Sequence, residues 1–179
     1  MRRYVVITAL ASLAGVFASS PAAIGSTNAV HAQALPPPAI GGSPAAFEVV
    51  FGGANDASIG AILHYQRCAG TDVDQLVLLA PNDQVWTIQR AWCQAGALTA
   101  DQRLADAAQF LPPDAIAGVP FSTDVGESAQ SYQSSILATA LPAGLFHDCT
   151  GNPVAAGTLF VVADAYGGWF MGPGLCPSM

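Results

Sequence analysis

Apolar residues in this chain come in short runs separated by glycine, proline and small polar residues, a spacing that suits short strands better than long helices. Phe47-Glu48-Val49-Val50-Phe51 reads as a β-prone run ended by Gly52-Gly53. Residues 59–67 read as a second strand with Ala61, Leu63 and Tyr65 on one face. The same stretch also fits helical spacing through Ile59, Ile62, Leu63 and Gln66, with Asp56 as its N-cap. Residues 75–80 and 84–91 flank Pro81-Asn82-Asp83, where proline fixes φ and Asn and Asp tolerate turn geometry, so they form a hairpin.

Further along, Thr99-Ala100-Asp101-Gln102 has the form of a capping box, and a helix should follow it and end before Pro112-Pro113. Asp124 with Glu127 makes a second such box. It is followed by Ala129, Tyr132, Ile136, Leu137 and Ala140 at near-helical spacing, until Pro142 ends the run. Residues 158–163 and 169–171 flank Asp164-Ala165-Tyr166-Gly167-Gly168 and read as a second hairpin. The expected fold is therefore α+β: a largely antiparallel sheet built from two hairpins, with two short helices packed on it.

The two hairpins repeat weakly. Leu76, Ala80, Trp86 and Cys93 correspond to Leu159, Ala163, Trp169 and Cys176, and Cys68-Ala69-Gly70 and Cys149-Thr150-Gly151 precede the respective hairpins.

The amino terminus changes the picture of where this domain works. Arg2 and Arg3 followed by an uncharged, mostly apolar stretch to Ala18 form a signal-peptide pattern, with Ala32-Gln33-Ala34 as a cleavage site and a site after Ala32 as the alternative. Arg2-Arg3-Tyr4-Val5-Val6 also matches the core of a twin-arginine signal. Residues 1–34 are thus expected to be removed on export, 35–44 to be a Pro/Gly-rich linker, and 45–179 to be a single domain. Four cysteines in an exported chain, with no C-x-x-C pair, point to two disulfides and not to a metal site. The repeat selects Cys68 with Cys93 and Cys149 with Cys176. In a simple meander each pair would straddle a middle strand, so loop residues beyond the strand ends must bend inward.

Charge narrows the partners. Charged residues make up 9% of the chain and lysine is absent. After cleavage Arg67, Arg90 and Arg103 face twelve carboxylates, which leaves 3 − 12 = −9. Such a field disfavours nucleic acid and anionic membrane surfaces, whose binding depends on clustered basic residues. No nucleophile elbow, H-E-x-x-H, P-loop or dinucleotide turn is present, and no cofactor or metal is expected. Asp72 and Asp74 lack the further ligands that a calcium loop needs. Asp106 with Asp114, or Asp124 with Glu127, are the carboxylate pairs available for glycoside chemistry.

Histidine chemistry would have to use His64 or His147. His147-Asp148 are neighbours in sequence, which does not by itself orient a triad. The most unusual local composition is Tyr166-Gly167-Gly168-Trp169-Phe170, large aromatics among glycines. It reads either as a contact surface formed by Tyr166, Trp169 and Phe170 or as a tight turn with core-facing rings. The expected function is an exported or cell-envelope binding module without catalytic activity, whose partner is a protein or cell-surface component. The alternative is a small secreted hydrolase built on His64 or His147.

Overall fold

The computed structural model describes residues 36–55, 58–65, 74–92 and 98–176. In chain order these hold α1 (Pro44–Phe51), β1 (Ile62–His64), β2 (Asp74–Leu79), β3 (Thr87–Trp92), α2 (Ala100–Ala107), β4 (Ile116–Ser122), β5 (Ser128–Gln133), α3 (Ser135–Ala140), β6 (Thr158–Ala163) and β7 (Trp169–Pro173). The fold is α+β. Its strands form one antiparallel seven-stranded sheet in the order β1-β2-β3-β7-β6-β5-β4.

Three local expectations need correction. The first β-prone run is the helix α1: the Ser43 hydroxyl accepts the Ala45 N–H and Pro44 occupies the first turn, so the start signal outweighs the β propensity of Val49 and Val50. Phe47 is buried, while Val49 and Val50 point to solvent. Secondly, the Asp124/Glu127 segment is not a helix start. It is the turn of a third hairpin, β4–β5, with Thr123 Oγ1 accepting the Glu127 N–H. Pairing with β6 overrides the helical spacing of Ala129 and Tyr132, and helix forms only from Ser135, capped by the Ser134 hydroxyl. The fold thus has three hairpins and three α-helices among the described residues, beyond the two of each expected. Thirdly, the 35–44 linker belongs to the fold from Ile40 onward: Ile40 is buried, and Gly41 and Gly42 exchange backbone hydrogen bonds with Val85.

Other features follow the sequence closely. Thr99 and Gln102 form both bonds of the capping box that opens α2. The turn between β2 and β3 is a 3₁₀ turn over Pro81–Asp83, with Asn82 and Asp83 left-handed. Of the 59–67 strand only β1 and its flanks are described, with Tyr65 buried; Asp56, the alternative N-cap, lies outside the described residues, as do residues 1–35.

The hairpin repeat extends to register. The shift that takes Leu76 to Leu159 carries the pair Leu78↔Ile88 onto Val161↔Met171 and Leu79↔Thr87 onto Val162↔Phe170. Ile88 and Met171, each other's images, face one another at the central seam between β3 and β7. A local twofold axis therefore relates the halves. It extends one strand further: Ile62↔Leu79 on one side answers Ala129↔Val162 on the other, which brings Tyr65 and Tyr132 into equivalent places.

Both tyrosines pack against the main core, which lies on one face of the sheet. Leu76, Leu78, Ile88, Leu159, Val161, Trp169 and Met171 supply the floor, and Phe47, Phe110 and Leu137 from the helical side cover it. Burial raises both phenols, and Tyr65, with the Glu48 charge adding a little, is pushed up to about 12. The opposite face carries a smaller cluster of Ala129, Phe160 and Val162, flanked by Phe121 and Phe170.

Candidate functional site

The three aromatics of the second hairpin separate in space. Trp169 is a core residue: it is fully buried, its ring lies 5.5 Å from that of Phe110, and its indole N–H donates to Asp106 Oδ2 at 2.8 Å. Asp106 also accepts Arg90 Nη1 at both oxygens, 3.1 and 3.2 Å, and Gln109 Nε2 at 3.2 Å. This network at the edge of the core was not visible in the sequence, because it joins β3, α2 and β7 through residues far apart in the chain. Phe170 points to the other face and packs on Phe160 at 5.7 Å. Only Tyr166 is presented to solvent, 86% exposed. A contact surface made of all three rings is therefore not formed.

The turn that carries Tyr166 is tied down. Asp164 Oδ1 accepts the N–H groups of Tyr166 (2.8 Å) and Gly168 (2.9 Å), and the Asp164 carbonyl accepts Arg103 Nη1 at 2.7 Å. Glu127 Oε1 accepts the Ala165 N–H at 2.9 Å, while its other oxygen takes a hydrogen bond from Thr123 Oγ1. The β4–β5 turn is thereby clamped to the β6–β7 turn.

The histidines lie elsewhere. His64 is half-buried on β1, at one edge of the sheet, and its backbone N–H donates to Ser58 Oγ at 2.9 Å. His147 is exposed, and its Nδ1 lies 3.0 Å from the backbone oxygen of Asp148. The Asp148 carboxylate turns away into its own loop, accepting from the Thr150 N–H and hydroxyl and from the Asn152 N–H and side chain. These bonds lower its pKa to about 2, the Thr150 hydroxyl contributing most. A triad that needs this carboxylate beside an imidazole is not assembled.

Of the carboxylate pairs, Asp106 and Asp114 belong to separate networks, while Asp124 and Glu127 both line one cleft. Asp114 caps α3, bonding the Ser134 and Ser135 hydroxyls and the Ser135 and Ile136 amides, which holds it well below the usual carboxylate range. Asp106 belongs to the Trp169 network. Of the calcium candidates, Asp72 lies outside the described residues and Asp74 opens β2. Among the described residues no group of three metal-ligating side chains gathers, and no helix is long and apolar enough to cross a membrane.

Cys149 and Cys176 form a disulfide with Cα atoms 4.5 Å apart. The middle strand β6 is bypassed because the loop carrying Cys149 runs beside the residues after β7, with Asp148 bridged to Leu175 and the Leu175 N–H donating to the His147 carbonyl. Cys68 and Cys93 lie outside the described residues.

These pieces surround a cleft of about 550 Å³. Residues 121–125 and Glu127 form one wall, Ala165 and Tyr166 another, and Cys149 and Leu175 close it. Val125 stands 80% exposed at the rim. The ionisable side chains lining it, apart from the Tyr166 phenol, are Asp124 and Glu127, and no basic residue lines it. A second, shallower recess of about 390 Å³ shares Phe121 and Ser122 and reaches Asp101 at the start of α2. The sequence flagged Tyr166 and the Asp124/Glu127 pair separately, and no local pattern could join them, since the cleft is assembled from four loops. Set beside known proteins, the chain matches no family model, no curated protein and no solved structure.

Proposed function

We propose that the protein is an exported binding module without catalytic activity, and that the cleft between the β4–β5 and β6–β7 turns is where it takes hold of a protein or cell-surface component. The observation that carries this reading is the exposed Tyr166 ring on a turn fixed by Asp164, Glu127 and Arg103. An aromatic held on a rigid turn offers contact area at low entropic cost. The engagement of Asp148 by its own loop supports a non-catalytic role for the His147 region. Export rests on the amino-terminal sequence pattern and is compatible with the Cys149–Cys176 disulfide.

The test uses the mature protein, labelled and presented to intact producing cells. Tyr166→Ala is expected to lower surface binding by tenfold or more, as loss of a central aromatic anchor does, while His64→Gln and His147→Gln leave it unchanged. Binding that survives Tyr166→Ala would contradict this reading, as would a hydrolytic activity abolished by either histidine substitution. Intact mass of the exported form should lack the first 32 or 34 residues; a product still carrying Met1 would contradict the export proposal.

A further inference from the structure

We infer that the cleft accepts a positively charged organic group, an alkylammonium or guanidinium, with the Tyr166 ring against it and the Asp124 and Glu127 carboxylates around it. This rests on the cleft being the recognition site and names what it recognises. The polar chemistry of the lining is one-sided. Asp124 and Glu127 are acceptors when ionised, Ser122 and Thr123 add hydroxyls, and no Arg, Lys, His, Asn, Gln or Trp lines the cleft to donate. A bound anion would meet two negative charges and no positive one. A neutral sugar, which presents acceptors and donors alike, would find side-chain donors only in the hydroxyls of Ser122, Thr123 and Tyr166, and that of Thr123 is already given to Glu127. A donor-rich cation satisfies the carboxylates and is unpenalised by the missing donors.

The apolar part of the lining agrees. Phe121, Val125, Ala165 and Leu175 suit the stem or flat faces of an organic cation and offer nothing to a hydrated metal ion. A hard metal ion would also need six or more oxygens, and both Glu127 oxygens already accept hydrogen bonds from Ala165 and Thr123. An exposed tyrosine face draws an alkylammonium or guanidinium electrostatically. The whole mature chain, at −9, adds long-range attraction for such a group.

The probe is argininamide, titrated calorimetrically into the mature, disulfide-intact protein beside citrulline amide, which has nearly the same shape and no side-chain charge. Argininamide is expected to bind saturably and citrulline amide at least tenfold more weakly. Asp124→Asn, a change at an exposed turn, should weaken argininamide about threefold. Tyr166→Ala should weaken it about fivefold and Tyr166→Phe hardly at all, because the ring and not the hydroxyl makes the contact. Equal binding of the two amides, or binding indifferent to both Asp124→Asn and Tyr166→Ala, would overturn the inference.

A neutral oligosaccharide that binds in a Tyr166-dependent way while argininamide does not would overturn the cationic ligand and leave the binding-module reading standing. Failure of both probes together with Tyr166-independent cell binding would remove both. A tetra-arginine peptide binding much more tightly than argininamide would assign the group to a partner protein; equal affinity would assign it to a free small cation.

Discussion

The two halves of the sheet share a register and differ in almost everything attached to it. In β1-β2-β3 the outer strand has three residues, Ile62 within it and Ile59 before it are exposed, and the residues before it turn back tightly through the Ile59↔Ile62 bridge. In β5-β6-β7 the outer strand has six residues, β6 is buried along its whole length, and β4 adds a further hairpin. The equivalent tryptophans record the difference. Trp169 is fully buried with its N–H on Asp106, whereas Trp86 is half-buried and its buried N–H has no hydrogen-bond partner. A shared backbone pattern therefore sets where strands pair, while the added β4–β5 hairpin decides which half carries the cleft. The cleft exists in the second half because the β4–β5 turn stands beside the β6–β7 turn, and among the described residues the Pro81–Asp83 turn has no such neighbouring hairpin turn.

The sharpest break of this comparison is to remove each tryptophan in turn. Trp169→Ala should cost about 3–5 kcal/mol in denaturant unfolding, since it empties the core beside Phe110. Trp86→Ala should cost clearly less, about 1–3 kcal/mol, because its ring is only partly buried and the change removes an unsatisfied donor. Equal costs would mean that the two halves are equally built.

The disulfide comes next. Its partners are 27 residues apart, and Cys149→Ser with Cys176→Ser should destabilise the domain by about 3 kcal/mol through the unfolded chain. The twofold register places Cys93 as the image of Cys176, so non-reducing peptide mapping should find Cys68 joined to Cys93; a crossed pairing would break the equivalence of the halves beyond the strands.

Asp106→Ala should cost about 1–3 kcal/mol by leaving the buried Trp169 N–H without its acceptor and removing the carboxylate from Arg90. Asp106→Asn, which keeps an acceptor oxygen, should cost less. Identical losses from both would show that the Arg90 charge pairing, and not the indole bond, is what matters.

The smallest effect distinguishes the halves by pH. Asp148, lowered from the usual 3.8 to about 2, and Asp114, lowered further, stabilise the folded state above about pH 4, and that contribution is lost as pH falls through their folded values. Both act in the second half, at the Cys149 loop and at α3. Amide exchange should therefore rise on acidification in residues 134–140 and 148–152 before it rises in β2 and β3. At alkaline pH both halves should lose stability in the same direction, since burial raises Tyr65, to about 12, and also raises Tyr132, so that a contribution full below pH 10 is lost as each phenol ionises. A uniform response to acid would contradict the assignment of these two carboxylates.

Much of the sheet was legible because turn chemistry is local. Pro81-Asn82-Asp83, the Asp164–Gly168 stretch and the Thr99–Gln102 box each state their geometry within a few residues. The errors arose where two local signals compete. Phe47–Phe51 carries β-prone residues behind a Ser43-Pro44 helix start, and Ala129–Tyr132 carries helical spacing inside a strand held between β4, across the 123–127 turn, and β6, some 30 residues on. Ser43 followed by Pro44 was the sign available for the first. Nothing local marked the second, nor the equivalence of Tyr65 and Tyr132, which only the pairing register reveals. The cleft was legible only as fragments, since its walls come from 121–127, 165–166, 149 and 175.

The most direct test of the account maps backbone amide shifts of isotopically labelled mature protein during an argininamide titration. Shifts should concentrate at 123–127 and at Ala165 and Tyr166, with the equivalent Pro81–Asp83 turn silent. Shifts of similar size at both turns, or spread over the acidic surface without a centre, would contradict the claim that recognition belongs to the cleft of the second half.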